Sequence, residues 1–361
     1  MEAGSGIANP RVALRADPAW DHWHIALLDH RIEKASQRDD PLGGSVIAAP
    51  AEGQIPMNIK YGQLISRAGN IGDDLQSLAA GQHLPAPASV LVDRDLIHRS
   101  SGPAPVALIM NGWFSGNAEA WPPPPSIRPI FVGFHVCNRF KAAVQRHADY
   151  LKAFEPIGVR DAATGRFLES LGIRTETTYC LTLTFPQRER PPADGKTFIV
   201  DAQGIAIPKS LRKRAVKMTH RIPPLGPDAT LPFAQKLLKM YKERASLVIT
   251  TLLHTALPCM AMGIPVVFFG SRADGRTSII NDIGGTIYDQ RLHNKKLARG
   301  LLGRAIDPVD WSPKPLDLSE VKNRLAQAVQ FRFRSIERLA VRSPPRIRFD
   351  LPSESAQAFT A

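Results

Sequence analysis

The segment Thr250-Thr251-Leu252-Leu253-His254 brings a histidine to the end of an apolar strand and the start of a helix. An imidazole so placed can donate a proton near neutral pH, with its pKa tuned by burial and by a bound anion. The same residue could equally be a satisfied core histidine. A second segment, Gly158-Val159-Arg160-Asp161, occupies another strand-to-helix turn. The Arg160 guanidinium offers a planar fork for a carboxylate or phosphate, or a salt bridge to Asp161 within the turn.

A third stretch, Asn70-Ile71-Gly72-Asp73-Asp74-Leu75-Gln76, lies where strand and loop pass into a helix. Free backbone N–H groups and the positive end of the helix dipole gather there, so an anion or a sugar hydroxyl fits. Asn70 or Asp73 could instead simply cap the helix, with Gly72 relaxing the turn. Asn111-Gly112-Trp113-Phe114-Ser115 follows the apolar run Val106–Met110, and His135 follows Ile130–Phe134. In open α/β sheets, ligands bind outside the carboxyl ends of strands. Trp113 there could stack on a sugar ring or stand as a core-edge tryptophan.

Positioning these residues requires alternating strands and helices. Short β-branched runs alternate with amphipathic stretches from about Met57 onward, the pattern of βα units in a mostly parallel α/β fold. In the first half the pattern predicts strands near Asn58–Leu64, Ser89–Val92, Val106–Met110, Ile130–Phe134 and Thr175–Leu181. Helices are predicted near Asp73–Gly81, Arg139–Phe154 and Ala162–Leu171. Residues 186–196 hold three prolines, a glycine and five charges, a linker composition. Beyond it the pattern predicts strands at Thr197–Val200 and Val216–His220 and a helix at about Pro232–Arg244.

Residues 246–270 are apolar enough to suggest a membrane span, but His254, Pro258, Gly263 and Pro265 interrupt them. They parse instead as strand Leu247–Thr250, a short helix at 255–262 and strand Pro265–Phe269, since parallel strands buried on both faces read as continuous apolar runs. A last helix is expected over Leu318–Val341. The resulting division is an N-terminal extension (1–56), two Rossmann-like domains (57–185 and 197–341) joined by the linker 186–196, and a flexible basic tail (342–361).

The 361 residues are 43% hydrophobic, which suits real cores, and carry a formal charge of +13, which attracts anionic partners. Lys209–Arg214, Lys295–Arg304 and Arg332–Arg348 are basic clusters without the aromatic interleaving of single-strand binders, so no nucleic-acid partner is expected. Three scattered cysteines argue against a disulfide framework, and no signal-peptide core is visible, so a cytoplasmic setting is expected. Asp93-Arg94-Asp95 and His22-Trp23-His24 are short matches to metal motifs with high chance rates, and no metal site is assigned to them. The chain has neither GxxxxGK[ST] nor a GxGxxG after a predicted strand, which disfavours P-loop kinases and standard dinucleotide enzymes.

Taken in order, these segments resemble the polysaccharide pyruvyl transferase family. The resemblance rests on Asn70, Gly72, Asp73 and Gln76 at a helix start, Asn111–Trp113 after a strand, and Gly158–Asp161 followed by a helix and Leu171-Gly172-Ile173. It continues through Cys180–Thr182, Val248-Ile249-Thr250, His254, Ala261–Pro265 and Val309–Pro313, spanning roughly 57–340. It implies a GT-B-like pair of Rossmann-type domains that moves pyruvate from phosphoenolpyruvate to a sugar, often as a ketal across two hydroxyls. No metal and no resident cofactor are implied, phosphoenolpyruvate being a co-substrate. His254 would be the general acid; Arg160, Arg221, Arg272 and Thr250 would bind the donor; Asn70, Asp73, Gln76, Asn111, Trp113 and His135 would face the sugar acceptor.

The family pattern commonly carries an arginine two places before this histidine, and here that place is Leu252. Either another cation such as Arg221 or Arg272 substitutes, or the donor differs, or transfer has been lost. The leading expectation is a transferase acting on an exopolysaccharide or its lipid-linked precursor, with the basic surface favouring peripheral association with an anionic inner-membrane face. A nucleotide-sugar glycosyltransferase on the same plan and a non-catalytic saccharide-binding member are the rival readings.

Overall fold

The computed structural model describes residues 59–102, 104–114, 116–223, 225–272, 274–294 and 308–341. The N-terminal extension, His22 and His24, the cluster at 295–304 and the tail beyond 341 lie outside the described residues.

The first half builds two four-stranded parallel ladders that share their direction. Strands β1 (Lys60–Ile65), β2 (Val90–Asp93), β3 (Val106–Ile109) and β5 (Ile127–Ile130) form one in the order β2-β1-β3-β5. Strands β4 (Gly112–Phe114), β6 (Phe134–Val136), β7 (Ile157–Val159) and β8 (Thr175–Thr177) form the other in the order β4-β6-β7-β8. β3 runs straight into β4, and β5 reaches β6 through Phe131–Gly133. Backbone bonds from Met110 N to Ile130 O (2.8 Å) and Gly112 N to Gly133 O (3.3 Å) stitch the junction. Gly133 makes that junction possible: its φ is +70°, and a Cβ there would meet the Asn111 side-chain oxygen at 2.2 Å.

The second half is a five-stranded parallel sheet in the order β10-β9-β11-β12-β13. Its strands are β9 (Lys196–Val200), β10 (Val216–Met218), β11 (Ala245–Thr250), β12 (Val266–Gly270) and β13 (Ile287–Asp289). The chain order reverses between β9 and β11, which opens a crevice at the carboxyl ends of those strands. Residues 245–270 are strand, helix α7 (Leu253–Ala261) and strand, as the breakers require. Among the described residues no helix is long and apolar enough to cross a membrane.

Helix α1 (Ile71–Gly81) starts at Asn70, whose side chain accepts a bond from Gly72 N, and carries Asp73 and Asp74 in its first turn where the dipole favours them. Its apolar residues Ile71, Leu75, Ala79 and Ala80 are buried, and the aliphatic pair alone is worth about 1.5–3 kcal/mol per side chain in water removed. They pack into one core with Ala234, Leu237, Leu238 and Tyr241 of α6 (Pro227–Arg244) and with Ala256 and Leu257 of α7. The first-half helix is thereby embedded against second-half helices. α6 begins with Pro227 at its first position and ends with Lys242 and Arg244, both suited to those termini.

Several expected elements differ in detail. The helix expected over 139–154 is split into α2 (Lys141–Arg146) and α3 (Ala148–Lys152) because His147 adopts φ −118°, ψ 35°. Ile130–Phe134 is no single strand but the junction between β5 and β6. α4 (Ala162–Glu169) stops at Gly172, whose φ is +71°. The strand expected over Thr175–Leu181 ends at Thr177, and residues 181–184 turn as a 3-10 helix. Within 186–196, Arg188 is buried: its N–H bonds Met262 O (3.1 Å) and its guanidinium bonds Ala245 O (2.6 Å). The C-terminal helix α9 (Ser319–Val341) returns to the first half, where Arg332 pairs with Glu176 at 2.8 Å.

Candidate functional site

Carboxyl ends of strands from both halves converge on a cleft of about 500 Å³. From the first half come Asn70 and Asp73 at the head of α1, Arg94 after β2, Trp113 on β4 and Arg160 after β7. From the second come His220 after β10, Thr251–His254 after β11, Ser271, Asp274, Arg276 and Thr277 after β12, and Gln290 after β13.

His254 occupies the first turn of α7. Its Nε2 is closed from solvent and has no hydrogen-bond partner among the described residues. Burial holds its pKa well below the ordinary value, and the nearby Arg160, His135, His220 and Arg276 push the same way. The imidazole is therefore neutral in the empty cleft at pH 7. A bound anion would offset the arginines' part of this shift and leave the part due to burial.

Arg160 is 2% exposed yet lines the cleft, and its Nε lies 3.3 Å from Asp161 Oδ2, so the salt bridge within the turn is formed. Asp161 is a hub: it accepts from His135 Nδ1 at 2.6 Å and from the backbone and hydroxyl of Thr164 at 3.0 and 3.1 Å, which caps α4. Burial works against its ionisation, but His135, Arg160 and Thr164 prevail and hold its pKa at about 2.

Asn70 caps α1 and also faces the cleft, as does Asp73, whose carboxylate is 3.2 Å from Arg94 Nη1. Arg94 also bonds Ser66 Oγ (3.0 Å) and Asp95 (3.1 Å), and its guanidinium lies over Trp113 with 5.1 Å to the ring centroid. Trp113 is half-buried, with one face of its ring covered by that cation. Asp93 and Asp95 are engaged with Arg67, Arg94 and backbone N–H groups. Among the described residues no three His, Cys, Asp or Glu side chains gather as a metal cluster.

Other expected site residues stand outside the cleft lining. Asn111 is buried, donating to Gln76 O (3.0 Å) and accepting from Leu181 N (3.1 Å), so it ties β3–β4 to α1 and to the turn at 181. Gln76 is buried beside it, and His135 is buried against Asp161. Thr250 is buried, its hydroxyl accepting from Leu252 N (3.0 Å) to shape the entry into α7. Arg221 is exposed, its backbone bridged to Asn70. Arg272 is exposed, with Nε on Ile287 O at 3.2 Å. The expected grouping missed Arg94, Arg276 and His220. Arg276 follows a polar loop without periodicity, and its only visible signal is the Asp-Gly-Arg turn after an apolar strand.

The family model for polysaccharide pyruvyl transferases matches residues 70–272, more than half of the chain. The chain belongs to the polysaccharide pyruvyl transferase family. The match begins at the Asn70 cap and ends at Arg272, so it takes in the lining residues from Asn70 to Ser271 but not Asp274, Arg276, Thr277 or Gln290. No curated protein matches the sequence of this pyruvyl transferase family member. Solved structures similar to it include a functionally uncharacterized protein of Klebsiella pneumoniae, with 13% identity over 61% of this chain and 87% of that one and a TM-score of 0.37. A UDP-N-acetylglucosamine 2-epimerase is similar at 9% identity over 82% of this chain and all of that one, TM-score 0.41. A putative epimerase of the same description from Listeria monocytogenes is similar at 13% identity over 81% of this chain and 100% of that one, TM-score 0.39. Likenesses this distant say nothing about activity; the α/β class follows from the parallel sheets themselves.

Proposed function

We propose that the protein transfers the pyruvyl group of phosphoenolpyruvate to hydroxyls of a sugar in a polysaccharide or its lipid-linked precursor, without a divalent metal. The observation that carries this reading is the buried, unpartnered Nε2 of His254, on a residue that lines the family-matched cleft together with Arg160. The donor is a small trianion, and its charge would both seat it on Arg160 and favour the protonated form of the histidine.

In this reading His254 delivers a proton to the methylene carbon, which becomes the methyl group, and the central carbon turns electrophilic. One sugar hydroxyl oxygen adds to that carbon; a second displaces the phosphate, closing a ketal. Of the two hydroxyl protons, one returns to the imidazole and one leaves on the phosphate, so the balance is phosphoenolpyruvate plus diol to ketal plus hydrogen phosphate. Trp113 offers the apolar face of a pyranose a surface, while Asn70 and Asp73 offer its hydroxyls polar partners. The net charge of +13 favours dwelling at an anionic membrane surface where lipid-linked acceptors are found.

The test incubates the full chain with phosphoenolpyruvate and a panel of oligosaccharide acceptors, with chelator present, and measures phosphate release together with a pyruvyl ketal by mass spectrometry. Acceptor-dependent release abolished in His254→Ala supports the reading. Thermal stabilisation by a nucleotide sugar, with none from phosphoenolpyruvate, sinks it in favour of glycosyl transfer.

A further inference from the structure

The leucine at 252 lines the cleft where a cation would help hold a doubly charged phosphate. Neither Arg221 nor Arg272 lines it. Arg276 does, from the loop that follows β12.

We infer that Arg276 is the second cation of the donor subsite and supplies the charge that Leu252 cannot, a role that rests on the pyruvyl-transfer reading above. Three independent features of the loop support it. First, Gly275 brings the loop hard against the head of α4: a Cβ there would lie 2.8 Å from Ala163 Cβ. The contact sets Arg276 next to the Arg160–Asp161 turn, and no larger residue permits that approach. Second, the guanidinium is aimed by Asp274, which takes Nε at 3.1 and 3.0 Å and Nη2 at 2.6 Å, while Asp274 Oδ1 also accepts the Arg276 backbone N–H at 3.0 Å. Among the described residues Nη1 has no partner, and the side chain is 58% exposed.

Third, Arg160 and Arg276 bear on the same two imidazoles: both act on His254 and on His135, while each is paired with one carboxylate, Asp161 and Asp274. A phosphate between the two guanidinium groups would receive charge-assisted bonds from both sides. Asp274 then acts as an aiming group for Arg276 and as a competitor of the ligand. A purely structural turn pair would have neither effect.

Titration calorimetry of the full chain with phosphoenolpyruvate, and separately with inorganic phosphate, tests this. Arg276→Ala should weaken both ligands roughly 10- to 100-fold, as loss of a charge-assisted bond implies. Arg276→Lys should fall between, and Leu252→Arg added to Arg276→Ala should restore much of the affinity. Asp274→Asn keeps the backbone bond but removes the competing charge, so it should bind phosphate as tightly as the parent or tighter. If Arg276→Ala binds both ligands like the parent, Arg276 is a turn residue and the inference is overturned. Loss of phosphoenolpyruvate binding by the parent with Arg276-dependent phosphate binding retained would sink the donor reading and leave the second cation standing. Binding of neither ligand by the parent would overturn both.

Discussion

Gly72 gives His254 its room: a methyl group at position 72 would sit 3.1 Å from His254 Cβ and 3.5 Å from its Nδ1. The helix cap and the candidate acid are therefore coupled by a missing side chain. The same methyl would also press on Asn70 Oδ1 at 3.2 Å, the oxygen that caps α1.

Gly72→Ala should accordingly lower kcat at least about tenfold, since small displacements of a catalytic group are expensive. The melting temperature should fall only modestly, because alanine is otherwise favourable within a helix. Steady-state kinetics alongside thermal unfolding checks this, and an unchanged kcat would show that the imidazole has slack to move.

Asp161 neutralises Arg160, orients His135 and caps α4 from a position with no exposed surface. Asp161→Asn keeps much of the cap but leaves Arg160 buried without its counter-charge. We expect a loss of about 3 kcal/mol or more of stability, the usual result of breaking a buried pair from one side. Denaturant unfolding at pH 7 measures it, and a loss below about 1 kcal/mol would mean water reaches the guanidinium freely.

Asp74 joins the halves through a 2.8 Å bond from the Thr230 hydroxyl, and burial, only partly offset by that bond, raises its pKa to about 6. A carboxyl raised in the folded state stabilises the fold in its neutral form, and that contribution is lost as the pH rises through about 6. Asp74→Asn should hence change the melting temperature little below the ordinary carboxyl value of 3.8 and raise it by a few degrees, on the order of 2–4 °C per kcal/mol, at pH 8. Equal shifts at both pH values would contradict the assignment.

His220 works in the opposite direction. It is wholly buried between Tyr241 Oη (2.8 Å) and Thr255 Oγ1 (3.1 Å), and burial lowers its pKa to about 4. The folded state holds the neutral imidazole, so the stabilising contribution is present above the unfolded value of about 6.5 and fades as the pH falls from there toward 4. At pH 5 the loss should be about 2 kcal/mol for this residue. Replacing it by glutamine, which cannot titrate, should flatten the stability curve between pH 7 and 5; an unaltered slope would assign the acid sensitivity to other groups.

Legibility in the sequence followed the strength of local signals. α1 was readable because an asparagine cap, acidic first turn and apolar spacing agree, and residues 245–270 because their breakers fall between runs of strand-forming residues. β4 is three residues long and follows β3 after two residues, so no alternation can form within it. The split at His147 leaves no breaker residue in the sequence, only a backbone kink. Asn70, Asp73, Arg160 and His254 meet because they sit where strands pass into helices, a topological rule that sequence can exploit, and Trp113 joins them from within β4. Gln76, Asn111 and His135 belong to the same motifs but turn inward, and spacing alone does not distinguish a side chain facing solvent from one serving its neighbours.

Residues 69–71 and 220–222 are laced together by backbone bonds, Ile71 N to His220 O at 3.1 Å and Ile222 N to Gly69 O at 3.0 Å, with Asn70 bridged to Arg221. Widening the cleft along that edge would break this lacing and strip α1 from α6 and α7. Whatever enters the cleft then meets a standing vestibule along that edge, with no jaw there to clamp it.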